Sequence, residues 1–203
     1  MNFHASDLDG AYDTLNNLYL LSTKDGEKIE SKLVEIIFNL QKHWKGNDAT
    51  IHINNLIDVY KGLNSIINCV LYVAHNVSIP IVKAQTIRNA NGGRGNVGNL
   101  ISYNQETRVS FEQLDITAEY FVDPIGAPFD YNELCEVCDL FKLFCTNFSQ
   151  YKDELLNNWT SGNDRDKAIN EFGEFETNVS MYISKLNNAK GNLEVAVSNL
   201  KEV

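Results

Sequence analysis

The only two tryptophans of this chain stand at matching places in two copies of one pattern. The first copy reads His43-Trp44-Lys45-Gly46-Asn47-Asp48 and the second Asn158-Trp159-Thr160-Ser161-Gly162-Asn163-Asp164. Each closes one long apolar-periodic stretch and opens another. Gly takes the left-handed conformation that ends a helix, and Asn or Asp caps the start of the next. An indole is large enough to plug the end of a helical layer. These are the parts of a tight helix-helix corner, and the chain has two of them.

The ladders on either side agree in spacing. Leu40, Ile36/Ile37, Leu33 and Ile29 precede Trp44, while Leu155, Tyr151, Phe148 and Phe144 precede Trp159 at closely matching offsets. Leu56, Tyr60, Leu63, Ile66/Ile67, Val70 and Val73/Ala74 follow the first corner. Phe172, Phe175, Val179, Tyr182, Leu186 and Ala189 follow the second, displaced by the extra residue in that corner. Steps of three and four place each ladder on one helical face. Without the match, these would be two unrelated corners in an ordinary all-α protein.

The expected fold is therefore all-α: two long antiparallel helical hairpins packed as a four-helix bundle, because each hairpin alone exposes an apolar stripe. The first hairpin is assigned to residues 1–90 and the second to 130–203, with a connecting segment over 91–129. Gly26 is a point at which the first helix kinks or breaks. The helix opening at Asn47 or Asp48 runs past Ala74, and Pro80 leaves its end open. Asn89 to Gly98 is Gly/Asn-rich and reads as a flexible linker. Ser110-Phe-Glu-Gln113 has the form of a capping box, so a short docking helix is expected there, with a strand pair as the alternative. Asp130 is the expected cap of the next long helix. Gly173, in that hairpin's second arm, costs stability unless it admits a neighbouring helix.

A chain of 203 residues can bury a sizeable core. Its net charge of −10 argues against a nucleic-acid or anionic-membrane partner. Met1 to Asp7 lacks the basic and apolar regions of a Sec signal. Ile66 to Val82, interrupted by Asn68, His75, Asn76 and Pro80, is too broken to span a bilayer unaided. Synthesis in the cytoplasm is expected, with export only by a route that uses no cleaved signal.

Cys135-Glu-Val-Cys138 has the spacing of a zinc knuckle or redox pair, and Cys145 follows. All three share a ladder with Leu134, Phe141, Phe144 and Phe148, where free Cys behaves as a small hydrophobe. Zinc needs four converging ligands, and His4, His43, His52 and His75 are scattered. No metal and no cofactor is expected. Enzyme motifs are missing too: Asn91 to Gly98 lacks the Lys-Ser/Thr ending of a phosphate loop. Glu27, Glu30 and Glu35 do not form Glu-x-x-His pairs.

Trp44-Lys45-Gly46 between two amphipathic arms resembles the WXG family, small helical hairpins exported by type VII secretion systems. Trp159-Thr160-Ser161-Gly162 departs from the motif by one inserted residue. The resemblance covers most of the chain outside about 92–129. It implies a tandem fusion in which one polypeptide supplies both halves of the family's usual four-helix dimer, a monomeric pseudo-dimer. Fusion would raise the effective concentration of the halves to about the millimolar range. The residues carrying the motif are Trp44, Gly46, Trp159 and Gly162, and their role would be structural.

The family's export signal, Tyr-x-x-x-Asp/Glu beyond the second helix, is missing where it is expected. Tyr182 to Leu186 and Tyr72 to Asn76 lack the acidic residue, and Tyr12 stands in the wrong arm. The resemblance thus implies a non-enzymatic protein that is either a secreted substrate or a targeting partner for a larger effector, recognised by helix bundling. The alternative is an acidic cytoplasmic binding protein, such as a toxin immunity protein. Its charge would lie in Asp7/Asp9/Asp13, Glu112/Asp115/Glu119/Asp123 and Glu171/Glu174/Glu176.

Overall fold

A computed structural model describes residues 4–5, 7–103, 109–115 and 119–200 of the chain. Among the described residues the protein is all-α, about 81% helical, with four helices packed against each other when the continuous run from Leu8 to His43 is counted as one. A short strand β1 (His4–Ala5) precedes α1 (Leu8–Leu20), a π-helical run (Leu21–Gly26) and α2 (Glu27–His43). Then come β2 (Trp44–Lys45), α3 (Asn47–Ala90), β3 (Phe121–Val122), α4 (Gly126–Asn158), β4 (Trp159–Ser161) and α5 (Asn163–Asn199).

Gly26 does not break the first helix. The chain passes it in the π-helical run, and a Cβ there would stand 2.9 Å from Ile67 Cδ1 and 3.2 Å from Phe144 Cε2. The glycine is what lets these two side chains close over the backbone. α3 likewise runs on through Pro80 to Ala90. The proline ring denies one helical bond to the carbonyl of Asn76, and the Asn76 and Ser78 side chains donate to the neighbouring carbonyls of Tyr72 and His75.

Contacts group the residues into two compact units, each drawn from three stretches. Unit 1 takes Met1–Gly26, Ser65–Glu106 and Phe144–Thr177. Its core includes Leu15, Leu18, Val70, Ala74, Ile81, Phe148 and Phe172, all buried. Phe148 meets Phe172 and Phe175 edge-on at 5.4 and 5.2 Å, an arrangement that suits the quadrupoles of the rings. Lys152 bonds Glu176 at 2.6 Å, tying α4 to α5.

Unit 2 takes Glu27–Asn64, Thr107–Leu143 and Asn178–Val203. Ile29, Leu33, Ile37, Leu56, Leu63, Leu134, Phe141 and Leu193 are buried in it. Lys32 joins α2 to α4 through Glu133 and Glu136 at 2.6 and 3.0 Å. Asp58 accepts from Lys185 at 2.5 Å, linking α3 to α5.

By length and composition α3 could cross a membrane. Half of its most apolar window is buried inside the protein; Leu63, Ile67, Val70, Val73, Ala74, Val77 and Ile81 of this helix are buried, while Ile79 and Ile87 are exposed.

The connecting segment departs from expectation. Residues 91–103 have no regular structure, yet they are fastened to unit 1 rather than loose. Tyr12 Oη both donates to Asn99 O and accepts from Asn99 N, each at 2.9 Å. Arg88 reaches Asn96 O, Gln85 accepts from Gly98 N, and Ile101 is bound by His75 and Ser78. No helix forms over 109–115. That stretch has no regular structure and belongs to unit 2, where Asn54 bonds both the N–H and the C=O of Leu114. Phe111 is buried against Phe38 and Tyr60. The strand alternative is nearer: Phe121–Val122 is a strand, paired with Trp44–Lys45.

Asp130 is not a helix cap. α4 starts at Gly126 under the cap of Asp123, whose Oδ1 accepts from Ile125 N and Gly126 N. Pro128 fits the first helical turn, where no N–H is missed. Asp130 is one turn further in and fully buried.

Candidate functional site: the two tryptophan corners

Unit 2 contains the corner of Trp44 and Gly46. The indole is 2% exposed and lies parallel to the His52 ring, 5.9 Å between centroids and 5° between planes. Burying an indole on this scale contributes on the order of 3 kcal/mol. Gly46 has φ +118°, in the left-handed region, and a Cβ there would stand 3.2 Å from Glu119 O. Both facts make glycine the residue that fits. Gly46 O accepts from Thr50 N at 3.0 Å, carrying the chain into α3.

The corner is closed by the segment leading into α4. Trp44 pairs with Val122 and Lys45 with Phe121, antiparallel. Asp123 N donates to His43 O at 2.7 Å, so an otherwise unpaired carbonyl at the end of α2 is satisfied. His43 Nδ1 contacts Asp130 Oδ2 at 2.7 Å. Burial pushes the Asp130 carboxyl above the usual range, and the His43 contact offsets part of that. The amides of Ile125 and Gly126 hold Asp123 below the usual range.

Unit 1 contains the corner of Trp159 and Gly162. Trp159 is 1% exposed, and its Nε1 donates to Ser161 O at 3.1 Å. Gly162 has φ +137°. Its carbonyl accepts from Arg165 N and Asp166 N at 2.9 and 3.3 Å. The Arg165 guanidinium folds back on the end of α4, donating to Trp159 O and to Leu156 O. A cation at a helix C-terminus is favourably placed against the exposed carbonyls.

This corner too is closed by the segment leading into a helix. Ala5 pairs with Trp159 and His4 with Ser161, with an irregular register between them. The residue inserted relative to the first corner is absorbed there, as a bulge absorbs one. Asp7 Oδ1 accepts from Asp9 N and Gly10 N at 3.0 and 3.1 Å, and Asp7 O accepts from Ala11 N.

The two closing segments match at three of five positions. Asp7-Leu8-Asp9-Gly10-Ala11 and Asp123-Pro124-Ile125-Gly126-Ala127 share an Asp cap, a Gly and a buried Ala at the same offsets. Their caps bind the same two amides. A Cβ on Gly126 would meet His43, the residue before Trp44, and one on Gly10 would stand 3.3 Å from Asn158 Nδ2, the residue before Trp159. Sequence reasoning found the tryptophans and glycines of the corners but missed these lids. The repeated Asp-x-x-Gly-Ala was the signal available to find them.

The sites differ in charge. Counted from the tryptophans, His43 corresponds to Asn158; counted from the glycines of corner and lid, His52 and Asp130 correspond to Ala168 and Thr14.

The cysteines fall in the packing. Cys138 and Cys145 are buried and Cys69 and Cys135 half-buried, all as free thiols. Burial pushes the Cys69 and Cys145 thiols up to about 12 and that of Cys138 to about 11, too high for ready reaction near neutral pH. Among the described residues no three His, Cys, Asp or Glu side chains gather closely enough to hold a metal ion. The arrangement seals helix ends. No family model, curated protein or solved structure matches this chain.

Proposed function

We propose that this chain is a non-enzymatic, WXG-like protein of a type VII secretion system, folded as an intramolecular pseudo-dimer of two antiparallel helical hairpins. It acts as a secreted substrate or as a targeting partner that accompanies a larger effector. The observation that carries this reading is the reciprocal closure of the corners. The corner between α2 and α3 is lidded by the lead of α4, and the corner between α4 and α5 by the lead of α1. Each hairpin thus completes the other, as two chains of a dimer would, and matched Asp-x-x-Gly-Ala lids support a duplication.

The reading as an acidic binding protein gains nothing from the geometry. Asp9 is taken up by Arg88, Glu176 by Lys152, and Asp7 and Asp123 by helix amides. These groups belong to the acidic runs that reading would use, and each is engaged internally.

The test is expression in the native host, with immunoblots of culture supernatant and cytosol, with and without the type VII secretion ATPase. ATPase-dependent appearance in the supernatant is the expected result for a substrate. Retention in the cytosol, with no secretion component or effector co-purifying, would overturn the proposal.

A further inference from the structure

We propose that the Trp44 corner is an acid-opened latch, in which protonation of His52 beneath the indole unseats Trp44 and releases the β2–β3 strand pair. This stands on the corner's own geometry and does not depend on the secretion reading.

His52 is stacked flat on Trp44, and its Nδ1 is buried with no hydrogen-bond partner among the described residues. A neutral imidazole leaves at most one acceptor unpaired at that position. The imidazolium makes both ring nitrogens donors, so protonation would leave a charged N–H unsatisfied at the buried Nδ1 of this half-buried ring. Stacking on an indole eases part of the charge but cannot pair the Nδ1 proton. The cheapest relief is for the ring to swing out to water. Doing so removes the surface on which Trp44 rests.

The corner can transmit that movement because its seal is small. β2 and β3 are two residues each, with Trp44 itself opposite Val122. A shift of the indole therefore acts directly on half of the pair.

Several charged groups surround the corner. Asp48 is on His52's own helix, Lys42 and His43 end α2, Lys45 lies in β2, Glu119 adjoins β3, and Asp123 and Asp130 flank the start of α4. Desolvation holds His52 below the ordinary imidazole range, and Asp48 pulls the other way, more weakly. Asp130 Oδ2 is engaged by His43 and Asp123 Oδ1 by the helix amides, and His52 bonds neither carboxylate. At the second corner the position of His52 is held by Ala168, buried and unable to titrate. The histidine of that corner, His4, belongs to the paired strand. One corner is thus built with a titratable support beneath its indole and its equivalent is not.

Amide hydrogen exchange on the full-length chain tests this, with rates corrected for the intrinsic pH dependence of exchange. Between about pH 7.5 and about pH 5.5, across the titration of a freed imidazole near 6.5, protection of the Trp44–Val122 pair should fall by up to about tenfold. Protection of the Ala5–Trp159 pair should change little. In His52→Ala, which copies Ala168, the acid-dependent loss should disappear, while His43→Asn, which copies Asn158, should retain it. Parallel loss at both strand pairs of the unaltered chain would overturn the proposal, and that comparison needs no variant. So would a loss that survives in folded His52→Ala.

Discussion

His43 lies directly over Gly126, so closely that a Cβ at that glycine would fall 2.5 Å from the imidazole Cγ and Nδ1. The same Nδ1 is held by Asp130 at 2.7 Å, so turning the imidazole away would break that contact. Gly126→Ala is therefore expected to destabilise the protein by roughly 1–3 kcal/mol through overpacking. Gly10→Ala should cost less, because the atom nearest to it is a carboxylate oxygen of exposed Asp7. Urea unfolding of the two variants checks the order, and an equal cost would contradict the packing described.

Trp44→Ala and Trp159→Ala should each cost about 3–5 kcal/mol, as expected for emptying a fully buried indole site. Gly46→Ala and Gly162→Ala should each cost about 1–2 kcal/mol for forcing a side chain into the left-handed region. The same unfolding experiment reads both. A glycine variant as costly as the tryptophan variant at its corner would mean the turn, rather than the indole, holds the corner.

Gly173 and Gly191 lie inside α5 with nothing within 4 Å of where a Cβ would sit. Neither admits a neighbour, so neither has a packing reason to be glycine in this structure. Gly173→Ala and Gly191→Ala should each stabilise by about 0.5–1 kcal/mol. Thermal unfolding checks this, and destabilisation would reveal a contact at that face.

Asp9 accepts a bidentate pair from Arg88 and a further bond from Gln85. The Arg88 contact leads in holding its carboxyl below the usual range. A depressed carboxyl contributes stability that is present above the ordinary Asp value, about 3.9, and is lost as pH falls through the folded-state value. The pair is partly exposed, so the effect on global stability is small. Its visible consequence should be local. In Arg88→Ala, tryptic cleavage after exposed Arg94 should speed up several-fold, because Asn96 O and Asp9 lose a shared anchor. Unchanged cleavage would mean that Tyr12 and Gln85 hold the segment alone.

Cys135 is expected to be the first thiol modified by iodoacetamide at neutral pH in the folded protein. Burial holds Cys69, Cys138 and Cys145 largely protonated. Mass spectrometry of partly labelled protein checks the order.

The long helices and both corners were legible in the sequence because their causes are local. Apolar steps of three and four set the buried faces, and a glycine after each tryptophan sets the turn. Leu33, Ile37, Leu56, Leu63, Leu134, Phe148 and Leu155 are buried as the ladders require. At Gly26 the sequence left a kink or a break open, and the chain passes there in a π-helical run where the glycine admits Ile67 and Phe144. The same limit applied to Asp130, which has the residue type of a cap but is held inside α4 by His43.

By itself the sequence determined that the chain is helical, where it turns twice, and which faces seek burial, since helix period and turn chemistry act over a few residues. Only the tertiary structure decided what closes each corner. Val122 meets Trp44, and Ala5 meets Trp159, across long separations in the chain. A two-residue strand has no periodicity to read, and it exists only because a distant partner supplies its hydrogen bonds.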